Sequence, residues 1–348
     1  MMCLIASETG SFQKSELVMD LRTTISLDHS PVQISYNSNL MLIGSCFTSE
    51  IGAKLEEGKF STIINPTGIL YNPVSIADAI DLIISKRNIG EGDLLKFGNL
   101  WISLLHDSKF SSRDQHLASD RINTATEKAH DFLKGTDLLF VTFGTARVYR
   151  FNQSGKIVSN CHKIPAGEFS PELLEVEEIT SRWSGLIDSI TNFNKNLKLV
   201  FTISPVRHWK DGAHGNQISK STLLLAVEKL MEHKAVLGYF PAYELVMDDL
   251  RDYRFYAEDM LHVSSRAVEY IWEKFKSCYM DTKTLSIYSE VCSITKAEKH
   301  RFLTDSDIGR RTFATTILNK ISDLEKKHTF LDFTDERKRF ESILEGNI

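Results

Sequence analysis

Five short apolar runs punctuate the chain, each ending at a polar or glycine-bearing break: Asn39–Gly44, Phe60–Ile64, Asp137–Gly144, Leu197–Ile203 and Val236–Tyr243. Runs of this length with little alternation predict strands buried on both faces. The segments between them carry apolar residues at helical spacing. Glu50 to Leu55 suits a short helix, Ile76, Ala79, Ile80 and Ile83 predict one over 74–86, and further helices are predicted near 119–134, over 172–196 and over 217–233. Ser264 or Ser265 caps another, filled by Ala267, Val268, Ile271, Trp272 and Phe275. Strands alternating with helices fold into a parallel sheet covered on both faces.

Other segments depart from this rhythm. Residues 98–110 read as a strand or hairpin, and Arg147–Phe151 with Lys156–Val158 reads as a hairpin turning at Gln153-Ser154-Gly155. Beyond 283 the chain turns polar and helical, over 286–300, 306–328 and 334–344. Residues 1–38 are polar and irregular, with a possible edge strand at Gln33–Tyr36 and Met19 as an alternative start. The expected organisation is an N-terminal segment 1–38, a main domain 39–282 and a helical appendage 283–348.

Composition narrows the class. The 348 residues are 42% hydrophobic and 25% charged, with a net charge of −5, and the Lys and Arg residues are scattered. Recognition of nucleic acid needs a concentrated basic surface, so no nucleic-acid partner is expected. The five cysteines, Cys3, Cys46, Cys161, Cys278 and Cys292, include no Cys-x-x-Cys pair and fit neither a disulfide framework nor a thiolate zinc site. The N-terminus reaches Ser7 and Glu8 too soon for the apolar core of a signal peptide, and no window is long enough to span a membrane. The expectation is a cytoplasmic protein with no membrane partner.

Candidate chemistry gathers where the predicted strands end. Ser45 falls in the turn between the first strand and its helix, where free backbone N–H groups favour developing negative charge. Serine is also a preferred helix cap, so the residue reads either as a nucleophile or as a cap. The second strand runs into Asn65-Pro66-Thr67-Gly68-Ile69-Leu70-Tyr71-Asn72-Pro73, a loop fixed by two prolines and a glycine. Its Gly68 amide is either a donor to an oxyanion or part of an ordinary connection. Gly144-Thr145 closes the third strand, and in open α/β sheets ligands bind at such ends. Asn160 and His162 are candidate substrate contacts. The neighbouring Cys161-His162 pair is no dyad, because adjacent residues on a strand point to opposite faces. His106 is a candidate pocket wall. After the fourth strand Arg207 and His208 lie in a polar loop suited to an anion or a lid. After the fifth, Asp259-x-x-His262 has the spacing at which a carboxylate fixes its histidine's tautomer and frees the other nitrogen for a serine proton. A metal site from His208, His214 and Asp211 lacks tight ligand spacing, so neither metal nor cofactor is expected.

The order of these features resembles the SGNH hydrolase superfamily, flavodoxin-like esterases whose serine lies near the N-terminus and whose Asp-x-x-His lies near the end of the catalytic domain. Gly44-Ser45-Cys46-Phe47, Asn65-Pro66-x-Gly68-Ile69-Leu70-Tyr71-Asn72-Pro73, Asn160-Cys161-His162-Lys163, Ser204-Pro205-Val206-Arg207-His208 and Tyr253 to His262 look more closely like the GSCFA family within it. The resemblance implies a flavodoxin-like (SGNH hydrolase) three-layer α/β sandwich with a hairpin insertion and a C-terminal helical extension. It further implies a serine esterase, acyl hydrolase or acyltransferase acting on an O-acyl, O-acetyl or glycan ester. Ser45, Asp259 and His262 would be catalytic, Gly68, Thr145 and Asn160 would serve the oxyanion, and Arg207, His208 and His162 would contact substrate. Two departures stand out. Thr48 replaces the alanine of the family name, and Ala146 replaces the asparagine that usually supplies the superfamily's third oxyanion donor. The missing asparagine favours the alternative of a catalytically weak module that binds a carbohydrate or acyl ligand in the same crevice.

Overall fold

The structure is a computed structural model that describes residues 23–298 and 307–346. The early part of the N-terminal segment, with Cys3 and Met19, and the predicted helical positions 299, 300 and 306 lie outside the described residues. The five apolar runs form β1 (Asn39–Gly44), β2 (Ser61–Ile64), β5 (Leu138–Phe143), β9 (Lys198–Ile203) and β10 (Val236–Phe240) of one sheet. The sheet order is β10-β9-β5-β1-β2 and every neighbouring pair is parallel. Counted along the chain this is the flavodoxin-like order 2-1-3-4-5. The chain therefore reverses its direction of sheet growth between β1 and β5. Such a reversal opens a crevice at the carboxyl ends of the two strands, because their connections leave toward opposite faces.

The apolar runs are continuous because both faces of the sheet are covered. Leu40, Leu42, Leu138, Phe140 and Val200 pack on one side with α1 (Cys46–Glu57) and α7 (Ser265–Tyr279). Met41, Ile43, Leu139, Val141, Phe201 and Ile203 pack on the other with α2 (Pro73–Ser85), α3 (Gln115–Leu133), α4 (Val176–Phe193) and α5 (Gly212–Leu230). Successive side chains alternate between two apolar layers, as the period of two requires. The result is a three-layer α/β sandwich. A short turn α6 (Ala242–Glu244) continues into π-helix over Leu245–Leu250. The C-terminal extension, α8 (Thr282–Glu298), α9 (Asp307–Lys327) and α10 (Thr334–Glu345), adds Val291, Ile321 and Phe340 to the α1 and α7 side. Among the described residues no helix is long and apolar enough to cross a membrane.

Several predicted boundaries shift for identifiable reasons. The stretch 98–110 gives a hairpin, β3 (Leu95–Phe97) and β4 (Leu100–Ile102), followed by a 3-10 turn at Ser108–Phe110. The insertion after β5 is a three-stranded sheet, because β6 (Arg147–Phe151) pairs with both β7 (Lys156–Val158) and β8 (Phe169–Leu173). Glu172 and Leu173, expected in a helix, are thus drawn into β8 by pairing partners distant in sequence. Helix α3 starts at Gln115, ahead of the expected 119, because Asp114 caps it by accepting from the Leu117 N–H at 2.9 Å. Gln33–Tyr36 forms no extended strand: Ile34 makes one isolated parallel bridge to Met280.

Trp183 of α4 is fully buried, with Phe143 and Phe201 edge-on at 5.1 and 5.3 Å and its Nε1–H donating to Pro73 O at 3.0 Å. Trp183→Ala is expected to cost about 3–5 kcal/mol through the cavity it leaves. Trp183→Phe should cost less, roughly 1–3 kcal/mol, from the lost indole hydrogen bond and the smaller ring. Urea unfolding of the three proteins checks the ranking.

Candidate active site

The turn after β1 is built on backbone that only glycine adopts readily. Gly44 has φ +144°, and a Cβ there would collide with Thr142 O on the adjacent strand. Its N–H donates to Asn65 Oδ1 at 2.8 Å and its carbonyl accepts from Leu70 N–H at 2.9 Å. Asn65, buried and with φ +44°, also donates from Nδ2 to Ser49 Oγ at 3.0 Å. One side chain thus ties the end of β1, the first turn of α1 and the loop after β2 together.

Ser45 occupies the N-cap position of α1, yet its side chain makes no capping bond. Its hydroxyl is buried and has no hydrogen-bond partner among the described residues. The cap reading therefore fails, and Oγ is uncommitted beside the first-turn N–H groups of Cys46 and Phe47, which lack intrahelical partners by helix geometry.

Ser45 lines a cavity of about 530 Å³ at the carboxyl ends of β1, β5 and β9. Tyr71, Thr145, Asn160, Arg207, His208 and His262 share its wall. In the loop before α7, His262 Nδ1 lies 2.6 Å from Asp259 Oδ2, while Asp259 Oδ1 accepts from the N–H groups of Leu261 and His262, both at 2.9 Å. These bonds, the imidazole first, hold the Asp259 carboxyl at about 2, so it is ionised throughout the neutral range. His262 Nε2 has no hydrogen-bond partner among the described residues. No bond joins it to Ser45 in this conformation.

Other expected site residues take different parts. The Gly68 N–H donates to Asn65 O at 2.9 Å, and its missing side chain makes room for Asp107, so it has no free donor for an oxyanion. Thr145 N–H donates to Tyr71 O at 3.0 Å, beside the same bond from Gly144 at 2.7 Å, and the Thr145 hydroxyl contacts Ser219 Oγ and accepts from Arg147 N–H. Both amides are thus committed to loop structure. Asn160 accepts from His162 N–H at 2.8 Å, and its Nδ2 has no partner among the described residues. His162 is not in the cavity wall; its Nε2–H donates to Ser103 O at 2.7 Å. His106, buried against Phe110 and 2.8 Å from Ser103 Oγ, is likewise structural. Arg207 borders the cavity, but its N–H and Nη2 donate to Leu261 O and Met260 O, and the guanidinium lies over Trp209, Tyr253 and Tyr256. It anchors the histidine loop instead of presenting a free cation. His208 Nδ1 pairs with Asp211 at 2.9 Å, and His214 is exposed on α5; among the described residues no group of three or more His, Cys, Asp and Glu could hold a metal. Burial pushes the Cys46 and Cys161 thiols up, which disfavours thiolate chemistry here.

Sequence reasoning missed Lys220. It is 1% exposed, and its Nζ donates to Gly144 O at 2.7 Å and Ser204 O at 2.6 Å, joining the ends of β5 and β9 beneath the cavity. Burial pulls this ammonium down to about 7. A signal was present: Asn216, Ser219 and Lys220 lie at helical spacing on the buried stripe that Leu223 continues.

A family model described as "GSCFA family" matches residues 39–275, spanning every feature of this cavity. The chain belongs to the GSCFA family. Among solved structures, this GSCFA protein is similar to an acetyl xylan esterase (Est2A) from the rumen bacterium Butyrivibrio proteoclasticus, with 10% identity, TM-score 0.36, 70% of this chain covered and 64% of that one. It is also similar to a carbohydrate esterase family 3 protein from Talaromyces cellulolyticus, with 9% identity, TM-score 0.31, 73% of this chain covered and 99% of that one. The chain thus spans just under two thirds of the length of the first. A search of curated proteins finds no match.

Lys220 carries a test of this geometry. Its lowered folded value against 10.5 for the ordinary lysine means that between about 7 and 10.5 the unfolded chain holds a proton the folded chain lacks. Its contribution is therefore fully present above 10.5 and is lost as pH falls through about 7. The stability of wild type relative to Lys220→Met should rise with pH across that window, measured by urea unfolding; a flat difference would contradict the burial.

Proposed function

We propose that this GSCFA protein is an SGNH-type serine hydrolase acting on O-acyl esters. The observation that carries the reading is that Ser45, whose Oγ is uncommitted at a helix N-terminus, lines the same cavity as His262, the partner of Asp259. In the proposed reaction Ser45 attacks the acyl carbon while His262 Nε2 takes its proton. Asp259 keeps the proton of the other ring nitrogen in place and steadies the imidazolium that forms. The Cys46 N–H at the start of α1 and Asn160 Nδ2 are the donors left for the oxyanion, in place of Gly68 and Thr145. Catalytic hydrogen bonds often tighten only in the substrate complex, so the reading does not require the Ser45–His262 bond to be made beforehand.

An ester of a carbohydrate hydroxyl suits the cavity. Tyr71 and Trp209 border it with 45% and 46% of their surfaces exposed, and aromatic faces of this kind pack against the apolar faces of sugar rings. The lining includes no unpaired carboxylate that would repel an acyl oxygen. A second reading, ligand binding without turnover, is favoured by one observation, the burial of Ser45 Oγ out of contact with solvent.

Labelling by a fluorophosphonate and hydrolysis of p-nitrophenyl acetate separate the two. Wild type is expected to label at Ser45, and Ser45→Ala to lose at least about 10³-fold in turnover with an unchanged melting temperature. Asp259→Asn should lose about 10²–10⁴-fold. Wild type that folds but neither labels nor turns over would leave the binding reading.

A further inference from the structure

The cavity has a second histidine whose ring is held by a carboxylate. His208 Nδ1 lies 2.9 Å from Asp211 Oδ2, the same three-residue spacing as Asp259 and His262 but in reverse order. Asp211 is itself fixed by an ion pair with Arg147 Nε at 3.4 Å, from the three-stranded insertion. The His208 backbone N–H donates to the buried Asn216 Oδ1 at 2.9 Å. Main chain, ring and carboxylate are therefore each braced from a different element. Nε2 of His208, like that of His262, has no hydrogen-bond partner among the described residues.

The two histidines are also neighbours in space. Arg207 N–H donates to Leu261 O at 3.4 Å, and each residue immediately precedes one of the histidines. Backbone-bonded residues have Cα atoms about 5 Å apart and consecutive ones about 3.8 Å, so the histidine Cα atoms lie within roughly 13 Å. Both rings border the same cavity. A residue that merely filled the wall would need neither a carboxylate on its ring nor an arginine behind that carboxylate.

We propose that His208, oriented by Asp211, is a second proton carrier of this site and serves the alcohol oxygen of the ester while His262 serves Ser45. The assignment rests on the esterase reading. In acylation the Ser45 hydroxyl proton passes to neutral His262 as Oγ bonds to the acyl carbon. The bond from that carbon to the alcohol oxygen breaks, and protonated His208 gives its Nε2 proton to the departing oxygen. In deacylation a water proton passes to His208 as the water oxygen bonds to the acyl carbon. The bond to Ser45 breaks and His262 returns its proton to Oγ. Each histidine ends as it began, and the products are the alcohol and the carboxylic acid.

Divided labour of this kind is read through the leaving group. Phenols leave with little help, whereas alkoxides and sugar oxygens need a proton. For His208→Asn, kcat/KM on an alkyl or sugar acetate is expected to fall about 10²-fold further than on aryl acetates, in the range that general acid catalysis supplies. Asp211→Asn should shift the ratio in the same direction by a smaller factor, and it carries the comparison should His208→Asn fail to fold. Equal losses on both ester classes, or none on either, would overturn the proposal while wild-type labelling at Ser45 keeps the parent reading standing. Wild type that neither labels nor turns over any ester would remove both.

Discussion

The cavity depends on Arg207. Its backbone N–H and guanidinium both donate to the loop that carries His262, at Leu261 O and Met260 O, and three aromatic rings surround the charged group. The loop after β9 and the loop before α7 are separated by about fifty residues of chain, and loops alone are the most mobile parts of a fold. A residue that bonds one carbonyl through its main chain and another through its guanidinium, with Trp209, Tyr253 and Tyr256 packed against the charge, turns them into one wall. Within that wall the tight turn at Met260, with φ +58°, lets Asp259 accept from two backbone amides and the His262 ring together. Position and tautomer of the imidazole follow from these bonds.

The opposite side of the cavity is set by carbonyl and amide capture at the strand ends. Gly44 can turn sharply because it has no Cβ, and Asn65 receives its N–H; Gly144 lies close enough to Tyr71 O for a Cβ to crowd it at 3.1 Å. Lys220 then joins Gly144 O to Ser204 O from below. A buried ammonium is costly, and among the described residues no carboxylate pairs with it; these hydrogen bonds and the Tyr243 ring at 5.4 Å offset part of that cost. Buried polar groups held this way specify one arrangement of the strand ends, since any slip leaves a charge or a carbonyl unsatisfied.

Most of the fold was legible because a sheet covered on both faces writes itself as apolar runs, and a single order of five such runs brings Ser45 beside Gly144. The parts that were not legible depend on contacts distant in sequence. Glu172 enters β8 because Val148 on β6 pairs with it, which no local pattern records. The serine, the Asp-x-x-His loop and the cavity-lining Asn160 could be read from residue type and position. Gly68 and Thr145 look like free donors in the sequence but are committed to Asn65 O and Tyr71 O, a fact that only the loop's path reveals. Arg207 misled for a related reason: a cation at a strand end suggests an anion until its partners are known to be a carbonyl and three aromatic rings.

These constraints hold Ser45, with its uncommitted hydroxyl, and the braced His262 ring in the wall of one cavity, with no bond between them. The most direct measurement is a crystal structure of the protein after reaction with an organophosphonate ester. The phosphorus is expected on Ser45 Oγ, the phosphoryl oxygen facing Cys46 N–H and Asn160 Nδ2, and His262 Nε2 within about 3.2 Å of the serine oxygen. Phosphorus on another side chain, or an adduct at Ser45 with His262 turned out of the cavity, would contradict it.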